Sequence, residues 1–144
     1  METQKSVSAD EESILITVQT FLGGIKARSK SDMLDSVLHA GSVCLLRDNE
    51  PVTMTLPAVI DRIPFDTAQV LDETMHDPKV LIDQSIAMVW APYKFWVDGK
   101  LDHVGTNIFT MLKQEGKWVI SGVADYSSGA GLIAGDSSSS WNQE

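Results

Sequence analysis

The dipeptide Asp98-Gly99, set between two long strand-like segments, constrains this chain more than any other feature. Both residue types tolerate the positive φ that a two-residue type I′ hairpin needs. The flanking segments, Val80–Val97 and Leu101–Lys113, must therefore be antiparallel neighbours. Glu115-Gly116 repeats the device before Trp118–Tyr126, and Gln69–His76 leads into the first long segment through Asp77-Pro78. From Gln69 onward the chain reads as a meander.

Before that point the periodicity is helical. Ser8-Ala9-Asp10-Glu11 has capping-box spacing, and Ile14, Val18, Phe21, Leu22 and Ile25 form one apolar stripe behind it. A second short helix is expected from Ser31, with Met33, Leu34, Val37 and Leu38 inward and Gly41 as its stop. Val43–Arg47 reads as a strand turning at Asp48-Asn49-Glu50-Pro51. Thr55 can cap a third helix with Pro57 in its first turn, ending near Pro64. Helices first and strands afterwards define an α+β fold: a curved antiparallel sheet wrapped around N-terminal helices as a cone-shaped α+β barrel. The expected organisation is a flexible N-terminus at 1–7, one domain at 8–128 and a Gly/Ser-rich tail at 129–144, from which Leu132, Ile133 and Trp141 can dock.

At 144 residues the chain can bury one real core but not two. A formal net charge of −9 leaves no basic stripe to neutralise phosphates and disfavours anionic membranes. Neither a nucleic-acid partner nor a membrane is expected. Cys44 is the only cysteine, so no internal disulfide and no thiolate metal site can form, and a cytoplasmic location is the default expectation. The three histidines are too scattered for metal-ligand spacing, and no cofactor-binding motif is present.

Turn positions fix register, and register fixes which side chains share a face. Pairing Val97 with Lys100 sets Lys94 opposite His103 and Trp90 opposite Asn107. Pairing Gln114 with Lys117 sets Asn107 opposite Ala124 and Gly105 opposite Tyr126. The face toward the helices is then expected to carry Met88, Trp90, Lys94, His103, Asn107, Phe109, Met111 and Tyr126. Val89, Tyr93, Phe95, Val123 and Asp125 would lie on the other. Lys94, His103, Asn107 and Tyr126 gather at one end of the inward face beside the small Gly105, Gly122 and Ala124, which predicts a hollow with a polar end. The opposite face is too apolar for open water and suits a homodimer interface. A bulge at Ala91-Pro92 would shift the register on one side.

Ala87-Met88-Val89-Trp90-Ala91-Pro92-Tyr93, Asp98-Gly99-Lys100, His103-Val104-Gly105-Thr106-Asn107-Ile108-Phe109, Gly116-Lys117-Trp118-Val119-Ile120 and Asp125 together resemble the nuclear transport factor 2-like superfamily. The nearest branch is the SnoaL-like and lumazine-binding-like one, with similar sequences among small enzymes of fungal natural-product pathways. The resemblance spans roughly Ser8 to Tyr126. It implies a cofactor-independent isomerase, cyclase or dehydratase acting on a polycyclic secondary-metabolite intermediate in an apolar pocket. It equally admits a non-catalytic small-molecule-binding or dimeric interaction module.

Candidate roles follow from chemistry and facing. His103 is either a proton shuttle or a satisfied structural histidine near a strand end. Asn107 can hold a substrate oxygen or satisfy buried backbone groups, and Tyr126 can donate to a developing oxyanion. Asp125 can act as a base only if the strand end turns it inward. Arg47 and Lys94 are possible clamps for a polar substrate group, against surface pairing and snorkelling respectively. Met88, Trp90, Phe109 and Met111 would form the apolar walls. His39 is expected to cap the second helix.

Overall fold

The computed structural model describes residues 8–128; residues 1–7 and 129–144, with Leu132, Ile133 and Trp141, lie outside them. Helix α1 runs Ala9–Ala27, capped by the Ser8 hydroxyl, which accepts from the Glu11 N–H at 3.0 Å. Ile14, Val18, Phe21, Leu22 and Ile25 are buried along one stripe. The helix stops at Arg28, which turns left-handed at φ 56°. There the Arg28 guanidinium donates to the carbonyls of Phe65 (2.8 Å), Thr67 (2.6 Å) and Gln69 (2.9 Å), tying the distant segment 65–69 to the helix end. At the other end, Asp10 Oδ1 accepts from Lys113 Nζ and Trp118 Nε1, both at 3.0 Å. These bonds fix α1 across the sheet.

Helix α2 (Lys30–Asp35) is shorter than its apolar residues suggest. Val37 and Leu38 belong instead to strand β1 (Val37–Arg47), because β-branched and apolar residues on alternate positions satisfy the sheet better than another helical turn. His39 nevertheless reaches back, its Nε2 lying 3.1 Å from the Leu34 carbonyl. Strand β2 (Glu50–Thr55) returns beside β1 through Asp48-Asn49, both at positive φ. Helix α3 (Leu56–Asp61) follows, capped by Thr55 as expected.

Strand β3 (Leu71–Met75) leads to β4 (Lys79–Asp83). The long segment after Asp77-Pro78 is two strands, since Gln84 takes a positive φ and turns β4 into β5 (Ile86–Val97). Strands β6 (Lys100–Gln114) and β7 (Lys117–Ser128) complete one sheet ordered β2-β1-β7-β6-β5-β3, with β4 also on β5. The sheet is mostly antiparallel, but β1 and β7 run parallel. Pro92 sits where β5 changes partner from β4 to β3. Its carbonyl accepts from the His76 N–H at 2.8 Å, so its missing donor faces the same gap and breaks no ladder.

Both expected hairpin registers hold next to their turns and then slip by one residue. Val97 pairs with Lys100 and Trp96 with Leu101, but Phe95 pairs with His103, so Asp102 is an extra residue in β6. Met111 pairs with Ile120, but Thr110 pairs with Gly122, so Ser121 is an extra residue in β7. No shift occurs at Ala91-Pro92. Each bulge turns one flank over, because side chains alternate with period two. Ala87, Val89, Ala91, Tyr93 and Phe95 therefore face the helices, beside Met111, Phe109, Asn107, Gly105 and His103. Phe109 is fully buried and meets Phe21 edge-on at 6.2 Å, joining sheet to helix; burying one such side chain contributes about 1.5–3 kcal/mol.

Candidate active site

Between the helices and the sheet lies a buried apolar cluster in which Ile14 of α1 and Leu56 and Ile60 of α3 join Ile120 of β7. The other end gathers the polar groups. Three half-buried side chains there each hold a more deeply buried partner. Glu73 Oε2, on β3, accepts from Asn107 Nδ2 at 2.7 Å. His103 Nδ1, on β6, lies 2.7 Å from Asp102 Oδ2. Arg47, at the end of β1, donates to Asp125 Oδ2 at 3.4 Å, and the other Asp125 oxygen accepts from the Tyr93 hydroxyl at 2.9 Å. Asn107, Asp102 and Tyr93 are all buried, and the Asp125 side chain is only 8% exposed.

The bulges create this arrangement. Neighbours on a regular strand point to opposite faces, yet Asp102 and His103 bond side chain to side chain because Asp102 is the inserted residue. With its carboxylate on Nδ1, Asp102 favours the tautomer that leaves Nε2 free of a proton. Phe95 stacks on the imidazole at 4.9 Å and 11°, and Tyr93 meets it edge-on at 5.9 Å. Gly105, opposite Tyr93, is what lets that ring lie across β6 to reach Asp125 on β7. A Cβ at residue 105 would stand 2.7 Å from the Tyr93 oxygen and 2.2 Å from the Tyr126 carbonyl oxygen.

Burial raises the Glu73 carboxyl from 4.5 to about 8, and the nearby Asp125 charge pushes the same way. Asn107 and Arg47 oppose the shift without cancelling it. Burial also raises the Asp125 carboxyl, against the Arg47 charge and the bonds from Tyr93 and Arg47 that favour its ionised form. The Tyr93 phenol is pushed upward by burial and by the Asp125 and Glu73 carboxylates, so it stays a donor. The cluster thus contains a carboxyl that keeps its proton near neutral pH, an ion pair, and an oriented imidazole.

Sequence reasoning placed His103, Asn107 and Arg47 in this region, and the structure puts all three at the polar end. Phe109 and Met111 face inward as expected, but both are 0% exposed in the packed core and present no wall surface. Four candidates are on the wrong face. Met88, Trp90 and Lys94 point outward because the Asp102 bulge inverts β5 relative to β6. Tyr126 points outward, 55% exposed, because the Ser121 bulge inverts the end of β7. The same inversions bring in Tyr93 and Asp125, which had been assigned to the outer face. Glu73 and Asp102 were missed. Leu71, Glu73 and Met75 alternate with Asp72 and Thr74, and that pattern was the available signal for Glu73.

Among the described residues no three His, Cys, Asp or Glu side chains are grouped to hold a metal ion, and no helix is long and apolar enough to cross a membrane. No protein-family model matches the sequence, and no curated protein matches it. Solved structures do match the fold. An NTF2-like protein of unknown function from Shewanella baltica aligns with TM-score 0.66 at 15% identity, over 87% of this chain and 98% of its own. A candidate scytalone dehydratase from Novosphingobium aromaticivorans aligns with TM-score 0.68 at 10% identity, over 83% and 84%. A candidate aromatic ring hydroxylase from the same species gives 0.70 at 12% identity, over 87% and 95%. The fold is therefore NTF2-like. Its neighbours include candidate enzymes and proteins of unknown function, and identities this low carry the fold alone.

Proposed function

We propose that the protein is a cofactor-independent acid–base enzyme of the isomerase, cyclase or dehydratase type, acting on an apolar polycyclic intermediate of secondary metabolism. The observation that carries this reading is the Asp102–His103 pair at 2.7 Å, on the inner face that also holds Glu73, whose carboxyl burial pushes up to about 8. His103 Nε2 is the proton shuttle, and Asp102 sets its tautomer and stabilises the imidazolium. Asn107 orients Glu73, while Tyr93 and Arg47 share Asp125 as acceptor, and the Arg47 guanidinium can bind a substrate oxygen. An NTF2-like fold shared with a candidate dehydratase is compatible with this chemistry without specifying it.

The test is metabolite profiling of a deletion strain complemented with wild type or His103→Ala. A polycyclic intermediate should accumulate in the deletion and persist with His103→Ala. Full complementation by folded His103→Ala would sink the assignment.

A second copy of the chain is the proposed partner of the outer sheet face. Leu81, Ile86, Met88, Trp90 and Tyr126 face outward there, with Leu81 65%, Ile86 55% and Trp90 45% exposed. A contiguous apolar surface of this kind is what a homodimer buries.

A further inference from the structure

We propose that residues 63–70 form a strap that opens as a unit, latched shut by the side chain of Arg28, and that it controls access to the apolar seam between α1 and β3. This device is independent of the acid–base chemistry proposed above.

The latch begins with a backbone conformation that runs against the residue type. Helix α1 ends in a Schellman motif, in which the Arg28 N–H donates to the Ile25 carbonyl at 3.3 Å and the Ser29 N–H to the Gly24 carbonyl at 2.9 Å. The left-handed residue of such a motif is usually glycine, because a Cβ there crowds the backbone. Here it is Arg28, at φ 56°. What arginine has and glycine lacks is a rigid fork of N–H donors. That fork serves three alternate carbonyls within five residues, those of Phe65, Thr67 and Gln69.

Little else ties the strap down. Among the described residues, every hydrogen bond that joins residues 65–69 to another element comes from Arg28. The others close within the segment: the Phe65 N–H on the Ile63 carbonyl at 2.8 Å, the Thr67 N–H on the Pro64 carbonyl at 3.3 Å, and the Gln69 N–H on Thr67 Oγ1 at 3.2 Å. Both ends are hinged on regular elements. The Ile63 N–H donates to the Ile60 carbonyl of α3 at 3.2 Å. At the far end the Val70 N–H donates to Asp98 Oδ1 at 2.9 Å and the Asp98 N–H to the Val70 carbonyl at 2.8 Å, which pins the strap to the β5–β6 turn.

Ile63 and Phe65 on the strap and Leu71 of β3 are half-buried against the core. The seam they share with Ile25 of α1 has no room for a water molecule, so the strap is shut. Arg28 itself is exposed, however, and a segment held by exposed polar bonds over half-buried apolar groups opens at far lower cost than the core. Leu71 and Glu73 share one side of β3, so the seam leads from the strap toward the polar cluster.

Amide hydrogen exchange followed by NMR, with Arg28→Gly as the variant, separates a strap from general loosening. Glycine favours the left-handed turn, and that turn persists when the strap opens, so its advantage acts only on unfolding of the whole chain. The lost guanidinium bonds act on both. The amides of Phe65, Thr67, Gln69 and Val70 should therefore exchange faster by one common factor, about tenfold for bonds to a charged but exposed donor. Core amides such as those of Val18 and Phe109 should change by clearly less. Equal acceleration of strap and core, or none in the strap, overturns the latch. Access is read by stopped-flow fluorescence with N-phenyl-1-naphthylamine, a neutral apolar probe, which should associate faster with Arg28→Gly than with wild type by the same factor. Association at equal rates, or with neither protein, overturns the control of access. Neither measurement involves turnover, so both stand whatever His103→Ala shows.

Discussion

Substituting Gly105 by alanine tests the placement of Tyr93, on which the buried half of the site depends. The new Cβ would lie 2.2 Å from the Tyr126 carbonyl oxygen, 2.7 Å from the Tyr93 hydroxyl oxygen and 2.8 Å from Tyr93 Cζ. Ordinary contact begins near 3.4 Å, so β7 must move by more than an ångström and the phenol must also give way. The backbone oxygen cannot swing aside as a flexible side chain can. Overpacking of this sort costs about 1–3 kcal/mol. Displacing the phenol from Asp125 forfeits a hydrogen bond to a charged group, worth about 1.5–3 kcal/mol. Together these give a loss of about 2.5–6 kcal/mol. Tyr93→Phe, which removes the hydroxyl and leaves the backbone undisturbed, should cost only the second part. Equilibrium urea unfolding, followed by tryptophan fluorescence and far-ultraviolet circular dichroism, measures both variants. If Gly105→Ala costs no more than Tyr93→Phe, the ring does not lie against residue 105, and the route from Tyr93 to Asp125 is wrong.

Glu73 should also leave a mark on stability. Its carboxyl binds a proton more tightly in the folded chain, at about 8, than at the ordinary 4.5, so its contribution is full below 4.5 and is lost as pH rises through about 8. Across that window stability should fall by at most about 1.4 kcal/mol per pH unit from this group, and by less where water reaches the carboxyl. Urea unfolding of Glu73→Gln should show a shallower fall than wild type between those limits; parallel curves would remove Glu73 as the source. On the outer face, Trp90→Glu places a charge in the centre of the apolar surface. Sedimentation should show a wild-type dimer and a monomeric, folded variant, and a monomeric wild type would refute the homodimer.

The turns were legible because their chemistry is local. Asp98-Gly99 and Glu115-Gly116 adopt the positive φ values their residue types permit, and the pairs beside them match the register the turns dictate. Beyond the turns, β5 gave no signal for facing, since Met88 and Trp90 on one face are as apolar as Val89 and Phe95 on the other. β7 did carry one: inward apolar positions step from the buried Ile120 to the half-buried Val123, breaking the period of two at Ser121-Gly122. The short α2 was misjudged because Val37 and Leu38 fit a helical stripe as well as a strand, and only the ladder to β7 decides between them. Glu73 was passed over because an acidic residue in a short strand is ordinarily solvated. Its burial depends on β5 and β6, whose contacts no local pattern shows.

One inserted residue in each of two strands is therefore the difference between two chemically distinct inner faces. In the unbulged register, Lys94 and Tyr126 would accompany His103, with a cation beside the imidazole and no carboxylate within the cluster. The Asp102 insertion replaces Lys94 with Phe95 opposite His103 and supplies the carboxylate on Nδ1. The Ser121 insertion replaces Ala124 with Asp125 opposite Asn107, giving Arg47 and Tyr93 a common acceptor. Burial is the chief reason the Glu73 carboxyl is pushed up to about 8, and the charge of Asp125, which takes the cation, pushes the same way. The β7 bulge thus adds to the upward push that burial already exerts on the Glu73 carboxyl. The Asp102 bulge brings a carboxylate to His103 and the Ser121 bulge brings Asp125 to Arg47 and Tyr93, so the chemical character of this inner face lies in strand register as much as in residue identity.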